Sequence, residues 1–165
     1  MIILGIDPGT ASTGYGLVRE QDNELALVGY GVITTAAGQA LPLRLQAIYE
    51  GLTGLVRRFQ PNAAAIEELF FSRNARTALA VGHARGVALL ALADAGLPIA
   101  EYKPMQVKQA IAGYGGADKQ QVQEMVRLLL DLDRVPQPDD AADAIAIAIC
   151  HIHAARMAGL LVASA

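Results

Sequence analysis

One cysteine, three histidines and no surplus of basic residues are what this 165-residue sequence offers where many functions would need more. Cys150 has no partner for an internal disulfide, and its place in the run Ile145-Ala146-Ile147-Ala148-Ile149-Cys150 marks it as a small buried hydrophobe. His151 and His153 lie two apart on a predicted helix and point in different directions, so they cannot chelate together; with His83 they read as structural. No stretch of about eighteen consecutive apolar residues occurs. The opening run Met1 to Ile6 stops at Asp7, too short for a signal peptide and without its basic flank. A soluble, cytoplasmic protein is expected. Internal repeats, low-complexity tracts and linkers are also lacking. Thirteen Lys and Arg against sixteen Asp and Glu leave a net charge of −3, which argues against a strongly non-specific polyanion binder, whose usual footprint is a pI above about 9.

A hydrophobic fraction of 53% beside 18% charged residues excludes intrinsic disorder and supplies a core for one domain of ordinary size. The expected organisation is a single domain over 1–158 with a short tail over 159–165. The charge is segregated along the chain: residues 1–24 carry a net −3, 57–85 a net +3 and 131–143 a net −4. If the acidic segments meet beside the basic ones, a negative pocket sits within a positive rim.

Ile2 to Ile6 is continuously apolar and β-branched, as in a strand buried on both faces, and Asp7-Pro8-Gly9 ends it with turn chemistry. Tyr15 to Val18 and Leu25 to Thr35 read as two further strands of an antiparallel meander joined across Gln21-Asp22-Asn23. Pro42 opens a helix whose apolar spacing runs to Phe59. Ala63 to Glu67 is a short strand, 74–95 an Ala-rich helix, Leu97 to Tyr102 a last strand and Pro104 to Ala112 a short helix. Asp118 and Gln121 form a capping box before the next helix, and a final helix, apolar on nearly every side, is predicted from about Asp140 to Met157. The fold class is α/β.

Asp7 and Glu67 each stand where a strand ends, the place where open α/β sheets gather ligands. Asp140 and Asp143 are three apart in the first turn of a helix, on one face and favoured by its dipole. Four converging carboxylates repel one another unless cations neutralise them, and oxygen donors without cysteine or histidine select Mg²⁺ or Mn²⁺. Read singly, the same residues are a turn aspartate, an exposed glutamate and helix caps.

Gly5-Ile6-Asp7-Pro8-Gly9-Thr10 with Gly14-Tyr15-Gly16, Ala65-Ile66-Glu67 followed by Phe70, Asn74 and Ala84-Arg85-Gly86, Gln106-Val107-Lys108-Gln109, and Asp140-Ala141-Ala142-Asp143-Ala144 occur in this order over almost the whole chain. Jointly they resemble the RuvC family of Holliday junction resolvases. The resemblance implies a ribonuclease-H-like mixed five-stranded sheet flanked by helices, a homodimer, and Mg²⁺-dependent paired nicking of a four-way DNA junction. It further implies preference for a short thymine-centred sequence, ligatable products and a RuvAB partner. It places four metal-binding acids, serving two ions, on Asp7, Glu67, Asp140 and Asp143, with Glu68 and Asp139 as adjacent acids outside the matched positions. It puts a base-stacking wedge on Phe70, although a phenylalanine pair such as Phe70-Phe71 is more often core. Arg73, Asn74 and Arg76 set positive charge and polar contacts beside those rings. Lys108 and Lys119 are matched too, where they would offset phosphate charge; as bare sequence they are solvated helix residues. The small side chains of Ala78 to Ala95 make that helix a candidate dimer interface, with packing inside one subunit as the alternative.

Among competing readings, an actin-type ATPase needs a second lobe. A proofreading-type exonuclease would usually carry an acid where Gly9 stands. A relative processing ribosomal RNA precursors is the enzyme runner-up, and a junction-binding module without catalysis is the non-enzyme one.

Overall fold

The computed structural model describes residues 1–68 and 75–163, and within these the side chains of all but 75–77 and 160–163. In chain order the elements are β1 (Ile2–Asp7), β2 (Ser12–Gln21), β3 (Glu24–Thr34), α1 (Leu41–Phe59), β4 (Ala63–Glu67), α2 (Ala75–Asp94), β5 (Ile99–Tyr102), α3 (Pro104–Ala112), α4 (Lys119–Leu129) and α5 (Asp139–Ala163). The strands form one mixed sheet in the order β3-β2-β1-β4-β5. β1, β2 and β3 pair antiparallel, while β4 lies parallel to both β1 and β5. The expected α/β class, five-stranded mixed sheet and three-strand meander are all present.

Local chemistry explains most boundaries. Asp22 and Asn23 both take positive φ, 53° and 68°, the conformation that a two-residue hairpin needs and that Asp and Asn tolerate. Asp118 caps α4 by accepting the Gln121 backbone N–H at 2.8 Å. Several boundaries differ from expectation, among them the end of β2, at Gln21 rather than Val18. β2 starts at Ser12 rather than Tyr15, because pairing with β3 carries the weak strand formers Ser12 and Gly14 on either side of Thr13. β5 starts at Ile99, after Pro98. α5 does not stop near Met157 but continues through 159–163, the segment assigned to a tail.

The period of two along each strand sorts its side chains between two cores. Leu4, Ile6, Ala64 and Ile66 face α1 and α2, packing on Ile48, Leu52, Ala84, Ala88 and Leu92. Ile3, Ala63 and Ala65 face α5 with α3 and α4 behind it, on Ile145, Ile149, Val107 and Val126. α5 is long and apolar enough by composition to cross a membrane, but Ile145 to Cys150 lie buried in this second core. Asp7 and Glu67 continue the odd-numbered positions of β1 and β4, so alternation turns both toward α5.

Candidate active site

β1 and β4 run parallel with Ile6 opposite Ile66, so the next residues, Asp7 and Glu67, leave the sheet side by side at the carboxyl ends of neighbouring strands. α5 lies across β1 and β2 and brings its N-terminal acids to the same place. Its approach depends on glycine. A Cβ on Gly5 would run into the Ala144 carbonyl, and one on Gly14, which pairs with Asp7, would run into the carbonyl of Asp140 itself. Absent side chains on the sheet therefore set how near Asp140 and Asp143 come to Asp7.

The carboxylates feel one another. Burial raises the Asp7 carboxyl from its ordinary 3.8 to about 7, helped by the charges of Asp143, Glu67 and Asp140 and opposed by Lys119. Glu67 is raised by burial and by Asp143, with Lys108 acting against the shift. Asp143 is raised by burial, against the hydrogen bond and charge of Lys119. The lysine at the start of α4 bridges two acids of α5: its Nζ stands 3.0 Å from Asp143 and 3.2 Å from Asp139. Gln123 donates to the other oxygen of Asp139 at 3.1 Å. A cavity of about 180 Å³ opens here, lined by Glu67, Asp143, Lys108, Lys119 and apolar side chains including Pro104 and Val122.

Of the residues expected at the site, Asp7, Glu67, Asp140 and Asp143 are thus gathered, with Lys108 and Lys119 at the cavity wall. Phe70, Arg73 and Asn74, and the side chain of Arg76, lie outside the described residues. Of the two adjacent acids, Asp139 is drawn in as the second partner of Lys119, while the Glu68 backbone N–H is held by the Tyr102 carbonyl at 2.8 Å. Two of the histidines have structural partners: Nδ1 of His151 meets the Tyr102 hydroxyl at 2.8 Å and Nδ1 of His153 the Ala110 carbonyl at 3.2 Å. Sequence reasoning missed Arg85, whose Nε–H donates to the Glu67 carbonyl at 3.1 Å. The motif around it was visible, but its partner was not.

The family model described as "Crossover junction endodeoxyribonuclease RuvC" matches residues 3–151. The chain belongs to the RuvC family. It is 62% identical over 155 residues to the RuvC of Chloroflexus aggregans, covering 94% of each chain. It is 55% identical to that of Desulfitobacterium hafniense, over 98% of this chain and all of the relative. The solved structure of Thermus thermophilus RuvC in complex with Holliday junction substrate superposes with a TM-score of 0.91 at 41% identity, covering 96% of both chains. The yeast mitochondrial Holliday junction resolvase Ydc2, at 16% identity and a TM-score of 0.63, shares the fold. The RuvC-family chain is accordingly a nuclease with the ribonuclease-H-like fold.

The donor chemistry of this RuvC site fits a hard divalent cation: four carboxylates, no sulfur or nitrogen ligand, and enough burial and mutual repulsion to hold Asp7 at about 7 instead of 3.8. Among the described residues no three His, Cys, Asp or Glu side chains close into a ligand set. The Lys119 ammonium instead supplies positive charge to the cluster.

Proposed function

We propose that this chain resolves four-way DNA junctions by paired, symmetric nicks, with Asp7, Glu67, Asp140 and Asp143 holding two Mg²⁺ ions, for which Mn²⁺ can substitute. The observation that carries the reading is the side-by-side exit of Asp7 and Glu67 from parallel strands, facing the acids of α5. The bound ions would lower the pKa of an attacking water and stabilise the leaving oxygen. Everything else is done by the chain itself. The four acids would hold those ions at the reacting phosphate, the apolar side of the cavity limits water, and Lys108 and Lys119 face the developing phosphate charge. Lys119 must exchange carboxylate for phosphate, so its ion pairs with Asp139 and Asp143 belong to the free protein.

Phe70 stacks on an unpaired base in this reading, with Arg73, Asn74 and Arg76 holding the flanking strand. The enzyme acts as a cytoplasmic homodimer so that both strands are cut, with its core domain over 1–158 and RuvAB as a partner. α2 suits the dimer contact. Ala84, Ala88 and Leu92 are consumed inside the subunit, while Leu79 and Leu90, 63% and 54% exposed, mark a second apolar face.

The test is a substrate comparison in Mg²⁺ between a synthetic four-way DNA junction, a linear duplex of the same sequence and a structured ribosomal RNA precursor. Cleavage confined to the junction is expected. Preferential cutting of the RNA would transfer the assignment to precursor processing, and binding without cutting of any substrate would leave a junction-binding module.

A further inference from the structure

β4 ends at Glu67, and the peptide that joins Glu67 to Glu68 lies at the edge of the regular ladder. Its N–H is taken by the Tyr102 carbonyl of β5 at 2.8 Å. A trans peptide sends its C=O the opposite way, toward β1, whose ladder with β4 stops at Ile6 and whose chain continues through Pro8, a residue with no N–H to offer. The missing donor comes from the other side of the sheet. Arg85 of α2 donates its Nε–H to that carbonyl at 3.1 Å and ion-pairs through its guanidinium with Glu101 of β5. The Arg85 side chain is 18% exposed and that of Glu101 43%, so the guanidinium is largely covered while its ion pair stays partly open to solvent screening.

We propose that Arg85 is a positioning residue for Glu67. With both polar groups of the 67–68 peptide held, the plane of that peptide is fixed, and with it the direction in which the Glu67 side chain leaves the backbone. Three elements hold it in place together: β5 through Tyr102 and Glu101, α2 through Arg85, and α5 through His151, which meets the Tyr102 hydroxyl. The inference rests on the proposed role of Glu67 as a metal ligand. It adds that the ligand's aim is set from α2, 18 residues further along the chain.

The test uses the full chain and reads Mn²⁺ binding to the DNA-free protein, single-turnover junction cleavage, and junction affinity without metal. Arg85→Met should weaken Mn²⁺ binding about fivefold or more and slow cleavage by roughly ten- to a hundredfold, the usual cost of an ångström-scale misplacement, while junction affinity stays within about twofold. Arg85→Lys, which keeps the charge for Glu101 but not the planar fork, should fall between wild type and Arg85→Met. Wild-type Mn²⁺ affinity and cleavage in a folded Arg85→Met protein would overturn the proposal. If that variant does not fold, wild-type values in Arg85→Lys would overturn it equally. Glu67→Gln separates the role of Arg85 from the metal assignment beneath it. If it too binds Mn²⁺ as wild type does, the metal assignment of Glu67 fails; if it alone loses affinity, only the role of Arg85 fails.

Discussion

At the scale of single residues, the site is built from carboxylates that are uncomfortable without a counter-ion. Asp7 is the clearest, raised from 3.8 to about 7 by burial and by its acidic neighbours. A group raised in the folded state contributes stability that is complete below its unfolded pKa and is lost as pH climbs through the folded value. Metal-free protein should therefore lose stability between about pH 4 and pH 7, by up to ~1.4 kcal/mol per pH unit from Asp7. Thermal unfolding of wild type and Asp7→Asn across that range checks it: the wild-type Tm falls relative to the variant as pH rises, and adding Mg²⁺ above the Asp7 pKa restores it. Parallel curves would contradict the electrostatic reading. The four acids themselves were legible in the sequence, two at strand ends and two at i, i+3 in a helix start. The ties of Lys119 to Asp139 and of Arg85 to the Glu67 carbonyl were not, because each joins elements whose relative placement no local pattern encodes.

At the scale of elements, the site depends on how closely α5 lies on the sheet. Gly5 and Gly14 face its backbone so tightly that a methyl group cannot fit without moving backbone. Gly14→Ala should lift the first turn of α5, which carries Asp140. The expected cost is about 1–3 kcal/mol of stability and a fall in cleavage of roughly a hundredfold, read by thermal unfolding and single-turnover kinetics. An active, fully stable Gly14→Ala protein would show that α5 is not gauged by that residue. Helices with clear punctuation were readable in advance: Pro42 within the first turn of α1, and the Asp118–Gln121 box of α4. Boundaries set by partners were not. Ser12 to Gly14 became strand because β3 pairs with all three and β1 with Gly14, and α5 runs on past Met157 to Ala163.

At the scale of the whole molecule, the formal charge of −3 argues against a nucleic-acid partner, yet four of the acids are proposed to hold metal at one site. Two divalent ions there would turn −3 into +1. With so little positive charge in reserve, recognition must rest on junction shape together with a few Lys and Arg contacts. Junction affinity should fall steeply with salt, because each neutralised phosphate adds about 0.9 to the slope of log K against log salt. Titrations between roughly 50 and 200 mM salt measure it, and a flat response would contradict the basic rim. Catalysis by the carboxylate cluster is tested most directly by one assay. A mobile four-way junction is incubated with wild type or Asp7→Asn, with and without Mg²⁺. Paired symmetric nicks by wild type only in the presence of metal, with tight binding but no cutting by Asp7→Asn, is the expected result; equal cleavage by the variant would contradict it.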